Sequence, residues 1–204
     1  MPTKNPTKFL LFGLIASTIL HAGNTTASAD APVVPVASVS PWYLGVGIGG
    51  FALVTEANQE RLSSKSASLI LGYILNPYLA IEGRYTHALG TLHYDAGKTP
   101  SPSKTLTDST YTDTDLLLRL SYPIGHLSPY LLAGYSRSTI THIVGANRVE
   151  SSLRYGAGLS YQATEHLHLF ADYLRAYRGK GFDGRSTQEN VHLDRLTVGV
   201  TYHF

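Results

Sequence analysis

The 204-residue chain contains no cysteine, which excludes a disulfide framework, a thiolate metal site and a thiol nucleophile. Charged side chains are sparse, at 15%. Long apolar runs are nearly absent too. The one that exists, residues 9–20, follows Lys4 and Lys8 and precedes Ala27-Ser28-Ala29, a small-x-small cleavage sequence. It falls short of the roughly 20 residues a transmembrane helix needs, and its flanks are those of a Sec-type signal peptide cut after Ala29. The overlapping Ala29-Asp30-Ala31 would put Pro32 directly behind the cut. Removing Lys4 and Lys8 from the 16 basic residues balances them against the 14 acidic ones. A neutral chain lacks the electrostatic footprint of a nucleic-acid binder.

What the chain has instead is tyrosine, at 14 copies, glycine, at 19, and alternation. In LDRLTVGVTYHF, residues 193–204, Leu196, Val198, Val200, Tyr202 and Phe204 form one face. Arg195, Thr197, Gly199, Thr201 and His203 form the other, which describes a strand with one apolar and one polar side. WYLGVGIGGF repeats the pattern, with Trp42, Leu44, Val46 and Ile48 opposite Tyr43, Gly45, Gly47 and Gly49. GVGIGG resembles a phosphate loop only superficially. Its glycines keep strand parity and no amphipathic helix follows, so they leave room inside a narrow barrel.

Between these two strands lie three hairpins with short turns at Asn76-Pro77, at PIGHLSP and at ATEH. Their apolar faces share one parity: Leu69, Leu71, Tyr73 and Leu75; Leu79, Ile81 and Tyr85; Leu116, Leu118, Leu120 and Tyr122. Leu131, Ala133 and Tyr135, then Leu153, Tyr155, Leu159 and Tyr161, then Leu167, Leu169 and Tyr173 continue it. Together these define an all-β, eight-stranded antiparallel up-and-down transmembrane β-barrel over residues 42–204, behind a signal peptide at 1–29 and a Pro- and Val-rich lead-in at 30–41. Alternation also explains a mean hydropathy close to neutral. From the Asn76-Pro77 turn to Tyr85, at roughly 3.3 Å per residue and a tilt near 40°, the climb is about 20 Å. That is comparable with the apolar band of about 25 Å between two aromatic girdles. The longer connections, about residues 54–65, 90–110, 141–150 and 177–190, fall on the other side from the short turns, which places both termini in the periplasm and four loops outside.

The inward parity collects Glu82, Arg84, Asp115, Arg119, Arg154, Asp172 and Arg195. This separates a membrane barrel from a soluble one. An arginine facing lipid near the midplane costs roughly 2–4 kcal/mol, and a one-residue slip would turn several outward at once, rivalling a typical folding free energy of about 5–15 kcal/mol. Counting from the turns predicts an ion pair between Glu82 and Arg119, with Arg84 near Asp115 one layer higher and Asp172 near Arg195. The network is either a gated pore or a plug, and the width of eight strands, just enough for side chains, favours the plug.

ILGYILNPYLAIEGRY, PYLLAGY, GAGLSYQATEHLHLFADY and VGVTYHF resemble the small outer-membrane barrel superfamily of the OmpA membrane domain, the OmpX/Ail proteins and the neisserial opacity-type and NspA proteins. The resemblance covers residues 42–204 and implies location in the cell outer membrane, contact with lipid and lipopolysaccharide, and a monomer. It also implies that the closing strand, with Tyr202 and Phe204, is read by the barrel assembly machinery. It implies action through external loops on a host or cell-surface ligand, and neither a cofactor nor cell-wall anchoring.

Two other function classes are weighed. A lipid A-modifying enzyme would need a His/Ser pair at the outer surface, whereas His126-Leu127-Ser128 lies in a periplasmic turn and His87 has no Ser or carboxylate tied to it by spacing. His166 and His168 lack a third metal ligand. A small-solute channel would need a wet lumen. The last loop carries a basic cluster, Arg175, Arg178, Lys180 and Arg185, able to meet lipopolysaccharide phosphates, with Asp183 and Glu189 partly offsetting it. Arg137 points outward in this phasing, so either it snorkels or a bulge shifts the register there. The reading is a non-enzymatic outer-membrane protein that presents its loops for surface interaction or adhesion and contributes to outer-membrane structure.

Overall fold

The structure is a computed structural model and describes residues 40–56, 59–98, 104–106, 109–143, 146–180 and 190–204. The signal peptide and most of the lead-in lie outside the described residues. Nine strands follow one another: β1 (Trp42–Thr55), β2 (Arg61–Asn76), β3 (Leu79–Asp95), β4 (Lys104–Leu106), β5 (Thr110–Ser121), β6 (Leu127–Ile143), β7 (Ala146–Gln162), β8 (Leu167–Lys180) and β9 (Asn190–His203). Each long strand pairs antiparallel with the next, β3 with β5, and β1 also pairs with β9, so eight strands close into a barrel. The three-residue β4 pairs only with the upper part of β3, at Leu92–Tyr94.

Closure follows from local chemistry. The turns near the chain ends are built from residues that bond their own backbone. The Asn76 side chain accepts from the Tyr78 amide at 2.9 Å, the Thr164 hydroxyl accepts from the Leu167 amide at 3.0 Å, and Gly125 supplies a φ of 60° between Ile124 and Leu127. The strands then alternate as expected. The large apolar residues of the predicted outward sets face out, from Ile48 and Leu116 to Leu153, which is 77% exposed, with Leu79, Leu167 and Val200 half-buried. Outward aromatic residues form two belts, Trp42, Tyr73, Tyr122 and Tyr202 near the terminal end and Tyr85, Tyr135, Tyr155 and Tyr173 further along. Trp42 and Tyr73 meet edge to face at 4.8 Å.

Two expectations need correction. The strands run well past the predicted ends: β1 pairs with β2 as far as Val54 and Arg61, and β6 with β7 as far as Ile143 and Ala146. Much of the predicted loops 54–65 and 141–150 is therefore barrel wall. Those segments read as loops because most of their outward residues, Arg61, Ser63, Lys65, Thr141 and Asn147, are polar, but ladder pairing needs no apolar outer face where no lipid lies against it. Nor is the interior uniformly polar. At the far end, inward-facing Phe51, Leu53, Leu62, Leu92, Tyr111, Ile140, Val191 and Leu193 pack into one apolar cluster, with Phe51 and Tyr111 ring centroids 4.1 Å apart. Close to the terminal end, Tyr43, Ile70, Ala80 and Phe170 form another. The charges lie between them.

Candidate functional site

The charged layer is built by inward positions of five strands and falls into two groups. In the first, Glu82 on β3 accepts from three sides: Arg84 at 2.6 Å, Arg119 at 3.1 Å and the Tyr43 hydroxyl at 2.6 Å. Arg84 reaches on across the lumen to Asp172 at 2.8 Å, which also accepts from the Tyr130 hydroxyl at 3.0 Å. The Arg119 guanidinium lies over the Tyr130 ring at 3.8 Å, a cation–π contact. Both phenols depend on a missing side chain opposite them. A Cβ at Gly72 would overlap the Tyr43 ring, and one at Gly158 the Tyr130 ring.

In the second group, Asp113 and Asp115 of β5 sit between two arginines. Arg195 reaches Asp113 at 2.8 Å and Asp115 at 2.7 Å, while Arg154 reaches Asp113 at 2.6 Å and also pairs with Asp115. Ser138 donates to Asp113 at 2.9 Å, and Arg195 donates to the Thr86 hydroxyl at 2.7 Å. Arg84, Arg119, Arg154 and Arg195 thus face Glu82, Asp113, Asp115 and Asp172, so the layer is neutral. All are buried except Arg119, whose side chain is 11% exposed. Such pairing offsets the desolvation that an isolated buried charge would suffer.

The structure joins Glu82 to Arg119, but it redistributes the other two expected pairs. Arg84 is opposite Asp115 in the ladder, yet its guanidinium turns to Glu82 and Asp172. Arg195 bonds Asp113 and Asp115 rather than Asp172. Across a lumen this narrow an arginine reaches a carboxylate on the far wall as easily as one beside it, so ladder adjacency does not choose the partner. Parity also turns Asp113 inward beside Asp115, a signal the sequence reading missed, and nothing in the periodicity marks Tyr43 and Tyr130 as donors to this layer.

Below the charges, a cavity of about 240 Å³ opens at the terminal end, bordered by Tyr43, Arg119, Gln162, His168 and His203. His168 stacks on His203 at 4.1 Å, and His166 contacts the His203 carbonyl at 2.8 Å. Among the described residues no group of three or more His, Asp or Glu side chains could hold a metal ion. His87 faces outward between Ala67 and Thr112. His126 is exposed in its turn, 6.3 Å from the Tyr161 ring.

On the outer face, Arg175 of the basic cluster is already engaged: Asp194 holds it by two bonds, at 2.6 and 2.8 Å. It is therefore not a free anion contact. The side chains of Arg178 and Lys180, and the whole of Arg185, lie outside what is described. Arg137 does face outward, in an unbroken register between Thr114 and Ser151. The irregularity in that pairing comes later, between Ile140 and Ile143, so no bulge reorients Arg137, and snorkelling from the row above Tyr135 accounts for it. Tyr202 and Phe204 are exposed and meet edge to face at 5.3 Å.

A closed antiparallel barrel with an apolar outer belt, two aromatic rings and a charge-paired interior is a membrane barrel. The chain belongs to the outer membrane protein beta-barrel domain family, whose model matches residues 12–204, and its location is the outer membrane. No curated protein sequence matches it. Among solved structures it is similar to neisserial surface protein A, with a TM-score of 0.57 and 23% identity over 81% of this chain and 99% of that one. It is also similar to OprG of Pseudomonas aeruginosa, at 0.54 and 11% over 81% and 97%. A third is Ail, the attachment invasion locus protein of Yersinia pestis, at 0.51 and 15% over 81% and 99%. At these identities the likeness is one of fold.

Proposed function

We propose that this protein is a non-enzymatic monomer of the outer membrane, with both termini in the periplasm, that presents its far-end connections outside the cell for contact with other surfaces. The observation that carries this reading is the filled interior. A neutral block of paired charges, capped by an apolar cluster, separates the cavity at the terminal end from the far end, so that among the described residues no water-lined conduit runs through the barrel, and contact is assigned to the rim. Ail, an attachment protein, shares the scaffold, which supports the same use of it here. Lipopolysaccharide surrounds the outer belt, the assembly machinery receives the strand ending in Tyr202 and Phe204, and the signal peptide is removed after Ala29.

Replacing residues 94–110 and 177–190 with short Gly/Ser turns, in a barrel that still shifts on a gel when boiled, tests this. The expected result is loss of attachment to host cells. Unchanged attachment would contradict the adhesive role.

A further inference from the structure

The outer wall of the barrel carries a recess that the surface-contact reading does not use. Two cavities lie one above the other along the same four strands. The lower, of about 510 Å³, sits over Ala67 and is walled by Ile48, Leu69, His87 and Val198. The upper, of about 680 Å³, begins two residues further along each strand, at Gly50, Lys65, Leu89 and Leu196, and rises to Ala52, Arg61, His93 and Asp194.

Small outward residues make its floor: Ala67 lies between Ile48 and His87, Gly50 between Lys65 and Leu196, and Ala52 between Ser63 and Asp194. A bulge opens its edge, since β3 advances from Leu89 to His93 while β2 advances only from Lys65 to Ser63, with Gly90 at a φ of 84°. On β2 the outward residues are apolar from Leu75 through Tyr73, Leu71 and Leu69 to Ala67, then become Lys65, Ser63 and Arg61. From Tyr73 to Lys65 is eight residues, a climb of about 20 Å, which puts Lys65 at the outer edge of an apolar band about 25 Å tall. Arg175, on the far side of the recess, is neutralised by Asp194. The Lys65 ammonium has no hydrogen-bond or ion-pair partner among the described residues.

We infer that this two-storey recess is a binding site for one net-anionic, phosphate-bearing membrane lipid, its acyl chain over Ala67 and its phosphate against Lys65. The lower storey is apolar and lies at hydrocarbon depth. The upper storey offers an unpaired ammonium at the depth of lipid phosphates, and hydrogen bonds to charged groups are the stronger kind. With the proposed orientation the leaflet is the outer one, but the site stands on its own geometry whether or not the loops bind cells.

Native mass spectrometry of the folded, full-length mature protein from mixed micelles tests it, with phosphatidylglycerol, monophosphoryl lipid A and phosphatidylcholine as probes. The first two separate a glycerolipid from a glycolipid occupant. The expected result is one retained anionic lipid, weakened at least about tenfold by Lys65→Gln and also displaced by Ala67→Leu, which fills the lower storey. Lys98→Gln should leave retention unchanged, and all three variants should keep the gel shift on boiling. Equal retention by wild type, K65Q and A67L would overturn the site. So would equal retention of phosphatidylcholine, or loss with K65Q but none with A67L, which would reduce it to general attraction by charge.

Discussion

Residues in the charged layer differ in how much each carries, and removal of one partner should reveal it. Arg154→Ala leaves Asp113 and Asp115 with Arg195 as their one arginine, so breaking this buried pairing should cost about 3–5 kcal/mol. Tyr130→Phe removes one donor to Asp172 and should cost about 1.5–3 kcal/mol. Both are read from urea unfolding in lipid vesicles, and a loss below about 1 kcal/mol for Arg154→Ala would mean that water reaches the aspartates. Much of this layer was legible from parity alone, because a lipid-facing arginine is so unfavourable that Arg84, Arg119, Arg154 and Arg195 had to point in. Their partners were less so. Arg84 finds Asp172 across the lumen, from β3 to β8, and periodicity along one strand holds no information about what faces it from the opposite wall.

Strands are set by pairing on both edges, and the outward face only records what surrounds them. Where lipid ends, the outward residues of β2 and β6 become Lys65, Ser63 and Arg61, and Arg137, Thr139 and Thr141, those of β1 shrink to Gly50 and Ala52, and the sequence ceases to announce a strand. The inward column of Phe51, Leu53, Leu62, Tyr111 and Ile140 was the signal that the wall continues. It follows that Phe51→Ala should destabilise the barrel by about 3–5 kcal/mol although it lies beyond the belts, again by urea unfolding. Hydrogen exchange should likewise protect the amides of Leu53 and Leu62 while leaving Gly125 in its turn fast; rapid exchange at all three would show that the far-end extension does not hold. Outward positions carry the opposite expectation. Leu118→Arg, within the belt, should cost roughly 2–4 kcal/mol, whereas Arg137→Leu should change stability by no more than about 1 kcal/mol, since Arg137 already sits at the membrane edge.

For the whole molecule, one seam closes the wall, β1 with β9, and the charges and apolar clusters fill what it encloses. The folded protein should therefore show no openings in planar bilayers, and step-like conductance would return the channel reading. Beneath every conclusion lies the alternation that turns Leu116, Leu118 and Leu120 to hydrocarbon and Asp115 and Leu117 to the lumen. Because the chain lacks cysteine, one introduced thiol carries one label, and quenching of that label by spin-labelled acyl chains reads the alternation directly. Labels at Leu118→Cys and Leu153→Cys should be quenched strongly and labels at Leu117→Cys and Ser136→Cys hardly at all; equal quenching at 117 and 118, or the reverse order, would contradict the barrel as described.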